Sequence, residues 1–344
     1  MHDDRKLIED RLDRVLRERI RPAVYGAAAE FAVEVWHAPG EPVSPAEGIA
    51  ASYEPCRIGQ EWGPPWGTSW FRMSGRVPAA WAGEVVEARV DLGFSNYGWG
   101  PGFSAEGLIY RPDGTAVKGL NPDNQWLRVT DKALGGEEVV FHVEAAANPR
   151  IQGPVTQFGD KETAPNACLY QLDTAELAVF HTEVWELVQD LEVLDGLMRQ
   201  LPLDQPRRWE LLRTIGKALD AVDLRDVPGS AAAARAILAP ALAAPATASA
   251  HRLSAVGHAH IDSAWLWPLR ETVRKVARTA SNVLTLMDAD PGFVFAMSSA
   301  QQWAWMEEHR PDVWERMRKR VAEGRLVPVG GMWVESDTNM PGGE

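Results

Sequence analysis

The pattern of apolar residues changes twice along this chain, and that change limits the fold more than any single motif. Leu7, Ile8, Leu12, Val15, Leu16 and Ile20 recur at helical spacing, so residues 5–20 are expected to form a helix. Residues 22–170 then carry short strand-like segments: Phe31–Trp36, Ser69–Met73, Val85–Val90, Gly107–Tyr110 and Glu138–Val143. Gly/Pro-rich breaks such as Gly63-Pro-Pro-Trp-Gly67 and Pro112-Asp-Gly114 separate them. Regularly spaced short strands with turns predict an all-β sandwich. The stretch from Gly93 to Gly102 is too irregular for a strand. Its aromatics can touch a ligand, but a packed surface loop explains them better.

Helical spacing returns after residue 170. Asp173 and Glu176 have the spacing of a capping box. Leu177, Phe180, Val184, Leu187, Leu191 and Leu194 follow at intervals of three or four. A second helix is predicted from about Trp209 to Val222. Residues 231–250 are Ala/Pro-rich, with Pro240 and Pro245 confining any helix to the first half and leaving a linker. From residue 251 strands and helices alternate: Leu253–Val256, a helix over 269–288, Gly292–Met297, a helix over 300–323 broken near Pro311, then Leu326–Val329 with Met332–Val334. This alternation predicts βαβ units and a parallel sheet. Five regions result: an N-terminal helix (1–21), a sandwich-like domain (22–170), a helical segment (171–230), a linker (231–250) and an α/β domain (251–344).

Composition narrows the function. With 35 Lys+Arg against 48 Asp+Glu, the net charge of −13 argues against nucleic acid or an anionic membrane as partner. Cys56 and Cys168 are too few for a disulfide framework and suit a reducing compartment. The charged N-terminus has no apolar signal core and no stretch is apolar enough to span a bilayer, so a cytoplasmic location is expected. Tryptophan is abundant, 15 of 344 residues. Indole faces suit sugar rings, but most buried tryptophans serve packing.

The chemistry concentrates where the first α/β strand ends, in Gly257-His-Ala-His-Ile-Asp262. Alternate residues of an extended chain face one side, so His258, His260 and Asp262 can converge on one point. Imidazole nitrogens and a carboxylate are ligands for a divalent metal, zinc first. The third strand ends in Gly330-Gly-Met-Trp-Val-Glu-Ser-Asp337. Asp337 can ligate the same metal, act as a nucleophile, or do both, and Glu335 alternates with it.

Gly257-His-Ala-His-Ile-Asp-Ser-Ala-Trp-Leu-Trp-Pro268, followed by Gly330 to Asp337, resembles glycoside hydrolase family 38, the zinc-dependent class II α-mannosidases. The closest likeness is to its cytosolic/vacuolar and bacterial branch, which places a β-rich domain ahead of the catalytic one. The resemblance implies a distorted (β/α)7/8-barrel, of which residues 251–344 supply only the first βα units. It implies one Zn2+ (or Co2+) per active site, held by His260, Asp262 and Asp337. It makes Asp337 the nucleophile of a retaining mechanism and Trp265 a substrate-binding residue on the sugar. His258 becomes a supporting residue rather than a ligand. The substrate implied is a terminal α-D-mannoside of an oligosaccharide, and members are often homo-oligomers.

A barrel of this kind needs about 200–250 residues. The family's acid/base and a further histidine ligand therefore have no place before Glu344. The chain is expected to be an N-terminal portion with little or no turnover alone. Two other readings remain: an amidohydrolase-like metalloenzyme, which also uses a His-x-His strand end, and a non-catalytic carbohydrate-binding protein.

Overall fold

The computed structural model describes residues 3–94, 104–149, 167–247 and 249–335. Helix α1 (Arg5–Val15) runs through a π turn and a 3-10 turn into β1 (Tyr25–Glu30). There follow β2 (Ala32–Ala38), α2 (Pro45–Ile49), β3 (Glu54–Cys56), β4 (Glu61–Trp62), β5 (Thr68–Arg76), β6 (Val86–Asp91) and β7 (Glu106–Tyr110). Next come β8 (Ala116–Leu120), β9 (Trp126–Thr130), β10 (Glu138–Ala146), β11 (Tyr170–Gln171) and β12 (Thr174–Phe180). Helices α3 (Thr182–Gln200), α4 (Pro206–Ala221) and α5 (Val227–Leu242) lead on to β13 (Gly257–His258), α6 (Leu269–Ala289), β14 (Phe295–Met297), α7 (Ala300–His309), α8 (Pro311–Ala322) and β15 (Leu326–Pro328).

The β region is a two-sheet antiparallel sandwich, as the short punctuated strands predict. One sheet has the order β1-β12-β6-β9 and the other β3-β2-β5-β10-β7-β8. Val33, Phe71, Met73 and Val143 of the larger sheet meet Val86, Ala88, Leu177 and Val179 of the smaller in one core. The larger sheet is covered on its outer face as well. Trp70, Leu108, Tyr110 and Ala116 pack there against Val276, Ala280 and Leu284 of α6. A strand buried on both faces loses its polar alternation, and all five residues of β7 are buried. A third core joins α1, α3, α4 and α5 through Leu12, Leu187, Leu191, Ile215 and Leu238.

The last region holds β13, β14 and β15 side by side in parallel. Helices lie between consecutive strands, the βα alternation expected from sequence. Gly257 permits the pairing of β13 with β14, because a Cβ there would lie 2.9 Å from the Phe295 ring.

Several boundaries differ from expectation. Residues 174–180 are strand β12, so the Asp173/Glu176 capping box does not form and the helix starts at Thr182. Ala175, Leu177 and Val179 satisfy a period of two as well as a helical one, and pairing with both β1 and β6 decides between them. The sandwich thus extends to Phe180 rather than ending at 170. The expected linker begins late, because α5 passes through Pro240 to Leu242. Pro240 is exposed and near the helix end, while Ala231, Ala234 and Leu238 anchor the same helix in its core. The first parallel strand is Gly257–His258 and not Leu253–Val256, which is exposed. Met332–Val334 is not a strand. The carbonyls of Met332 and Trp333 instead accept from the Ala300 and Gln301 N–H groups at the start of α7, which supplies partners that a helix N-terminus lacks internally.

Candidate active site

The segment after β13 alternates in burial, and the alternation sorts its chemistry. Ile261 and Ser263 point inward, while His260 is exposed and Asp262 half-buried. Gln302 fixes this segment by donating its amide to the Ile261 carbonyl at 2.7 Å. His260 Nε2 lies 3.1 Å from Asp262 Oδ1. Their side chains are 68% and 39% exposed, so an ion can reach both.

His258 does not join them. Its Nδ1–H donates to the Ala296 carbonyl of β14 at 2.8 Å. Among the described residues no group of three or more His, Cys, Asp or Glu is placed to hold a metal. The three-way convergence read from alternation is therefore corrected to a pair, because a strand carbonyl offers His258 a partner that spacing cannot reveal. Asp337 lies outside the described residues. Glu335 is inside them. Its carboxylate accepts from the Ser263 hydroxyl at 3.0 Å and from the Ser263 N–H at 3.4 Å. The end of the third βα unit is thus tied to the residue beside Asp262.

The two donors present are of types that zinc accepts. Tetrahedral ligands at ordinary Zn–N and Zn–O lengths stand about 3.3 Å apart, close to the 3.1 Å observed between His260 and Asp262. Imidazole and carboxylate are also the right donor types.

Three arrangements were not legible in sequence, among them the packing of the expected sugar-binding residue Trp265. Ser299, two residues past β14 and just before α7, has a φ of +67°, in the left-handed region that non-glycine residues avoid. Its hydroxyl lies 3.1 Å from that of Ser263 and donates to the Trp333 carbonyl at 3.2 Å, so one strained residue joins all three strand ends. Trp265 is 45% exposed and meets Trp267 edge to face, with ring centroids 5.3 Å apart. The third feature is a buried ion network between the sandwich and α6. Glu106 of β7 pairs with Lys275 at 2.7 Å and also with Arg278. Glu271 pairs with Arg278 at 2.7 Å and Arg274 at 2.9 Å, and accepts from Asn148 at 3.0 Å. Burial pushes the Glu271 pKa up, but Arg278, Arg274 and Lys275 outweigh it and hold the carboxyl below its ordinary range. The network borders a cavity of about 470 Å³ lined in part by Asn121, His260, Asp262, Trp267, Lys275 and Arg278.

An antiparallel sandwich is packed on the first turns of a parallel βα sheet, with a His–Asp pair at the strand end. Residues 250–344 match the glycosyl hydrolases family 38 N-terminal domain, and residues 29–178 match the alpha-mannosidase jelly roll domain. Together the two matches cover most of the chain, in the order found in the N-terminal part of family 38 alpha-mannosidases. It is 35% identical to alpha-mannosidase 2C1 of Homo sapiens over 94% of this chain and 30% of that protein. It is 28% identical to alpha-mannosidase G of Dictyostelium discoideum, over 96% of this chain and 30% of that protein. It is 27% identical to an alpha-mannosidase of Saccharomyces cerevisiae, over 85% of this chain and 27% of that protein. The chain therefore spans less than a third of the length of these relatives. The family match replaces the amidohydrolase-like reading of the strand end.

Proposed function

We propose that the protein is a retaining, exo-acting α-mannosidase acting on terminal α-D-mannosides of oligosaccharides. The observation that carries this reading is the His260–Asp262 pair, 3.1 Å apart at the C-terminal end of β13, where parallel α/β folds keep their sites. Its support is the matched family and the names of the relatives.

His260, Asp262 and Asp337 would hold one Zn2+ or Co2+. Bound there, the ion supplies electrostatic stabilisation and a grip on the sugar hydroxyls. The axial 2-hydroxyl of mannose makes such a grip stereospecific. Asp337 attacks the anomeric carbon, forming a glycosyl ester as the bond to the leaving oxygen breaks. A second carboxyl group must protonate that oxygen and then activate water. Trp265 offers an indole face to the C–H side of the ring. His258 steadies the strand pair from Ala296.

Glu335 accepts a hydrogen bond from Ser263. A closed barrel of this kind needs about 200–250 residues, so the 344 residues assayed alone are expected to turn over little or no substrate. A cytoplasmic location and a homo-oligomer complete the proposal. Among the described residues no helix is long and apolar enough to cross a membrane.

The test assays the product of the complete reading frame on p-nitrophenyl α-D-mannopyranoside. Hydrolysis should release α-mannose first, stop on chelation and return with Zn2+ or Co2+. Asp337→Asn should lower kcat by about 10⁴-fold or more. Turnover that survives chelation or Asp337→Asn would sink the reading.

A further inference from the structure

We propose that Glu106 of the jelly roll sandwich is a positioning residue for the sugar platform, acting through Lys275 and Trp267 on Trp265. The proposal rests on the mannosidase reading for its kinetic consequence, and on geometry alone for the positioning itself.

Strand alternation aims Glu106, Leu108 and Tyr110 at α6, while Ile109 faces the sandwich core. Glu106 is held in place by pairing with Ala146 of β10 and by Arg278. Its carboxylate meets the Lys275 ammonium at 2.7 Å. Both side chains are buried. Two apolar residues would dock the helix without the desolvation that a buried pair costs, so the pair is better explained by what it places than by stability. The Lys275 ammonium sits 4.7 Å from the centroid of the Trp267 ring, within cation–π range. The Trp267 indole N–H donates to the Thr272 hydroxyl at 2.7 Å. A cation at the face and a hydrogen bond at the edge together fix both the plane of the ring and its rotation. Trp265 packs its edge on that ring at 79° and keeps 45% of its surface exposed. Trp267 lines the same cavity as His260 and Asp262. A carboxylate of the sandwich thus sets, through one ammonium and one indole that lines the His260–Asp262 cavity, the orientation of the exposed Trp265 face.

The test labels the protein with 5-fluorotryptophan and assigns the Trp265 and Trp267 resonances with Trp265→Phe and Trp267→Phe. Glu106→Gln and Lys275→Met should each shift the Trp265 resonance, and the double variant should shift it no further than Lys275→Met alone. Lys275→Met is the safer variant for folding, because Glu106 keeps Arg278 as partner. In the active enzyme each substitution should raise KM for p-nitrophenyl α-D-mannopyranoside about five-fold with kcat within about two-fold. An unmoved Trp265 resonance, additive shifts in the double variant, or an unchanged KM would overturn the positioning role. A wild-type enzyme without mannosidase turnover would overturn the proposed function instead, and the fluorine spectra would still decide whether Glu106 orients Trp265.

Discussion

Glu271 is a buried carboxylate surrounded by Arg278, Arg274 and Lys275. Its pKa is depressed in the folded state, where Arg278, Arg274 and Lys275 outweigh the effect of burial. The contribution of its charge is therefore complete above the ordinary carboxylate pKa and is lost as pH falls through the lower folded value. Glu271→Gln should destabilise the protein by up to about 3–5 kcal/mol at pH 7, since Arg278 and Arg274 each lose one buried counter-charge and keep only Glu106 and Glu144. Urea titrations should show the gap from wild type narrowing between about pH 4 and pH 2. At the proposed metal site, His260→Ala should weaken zinc binding about 100-fold or more, read by calorimetric titration. Replacing His258, whose Nδ1 serves Ala296, should weaken it far less. His260 and Asp262 were legible in sequence because ligand-type side chains alternate at the end of an apolar segment. Glu106 and Ser299 were not. Glu106 finds Lys275 169 positions away, and nothing in a serine's identity announces a positive φ.

At the scale of elements, a residue pattern compatible with two periods is settled by whatever it can pair with. Leu177 and Phe180 read as the start of a helix, yet β1 and β6 offer two open ladders and Thr174–Phe180 fills them. Ala-rich β1 and the short β8 carry little β-propensity signal, and their pairing is decided by the neighbouring strands. The contact of β8 with α6 depends on a missing side chain. A Cβ on Gly119 would stand 3.0 Å from the Arg278 Cβ and 3.4 Å from its carbonyl. The backbone N–H of Gly119 also donates to Asn282 at 2.9 Å, and the Thr285 hydroxyl donates to the Val117 carbonyl at 2.6 Å. Gly119→Ala should cost about 1–3 kcal/mol by forcing helix and strand apart, measurable as a lower Tm. Gly114→Ala, in an open turn with nothing near its Cβ but a φ of +86°, should cost only about 1 kcal/mol of backbone strain.

Across the whole molecule, the larger sheet of the sandwich serves two cores at once. One face closes the sandwich, and the other closes the α/β region through Trp70, Leu108 and Tyr110. Arg310 extends this junction by donating to the Tyr110 hydroxyl at 3.1 Å, and that hydroxyl donates to Glu144 at 3.1 Å. The covalent connection between the two is exposed over residues 249–256. A single proteolytic cut there should leave both pieces associated on size exclusion without denaturant, and melting together. Separation of the pieces would mean that the shared core contributes little.

The sequence by itself determined the order of layers, the sandwich before the βα units, and the placing of His260 and Asp262 just past the first parallel strand. These depend on local periodicity and on side-chain chemistry, which a single segment carries within itself. Only the tertiary structure decided that Thr174–Phe180 is a strand, that His258 turns to its neighbour, and that a jelly roll carboxylate reaches the tryptophans beside the site. Each of those outcomes is a competition for a partner distant in sequence. It is won by desolvation and hydrogen bonding in a buried interface, and those energies exist only once the chain has packed.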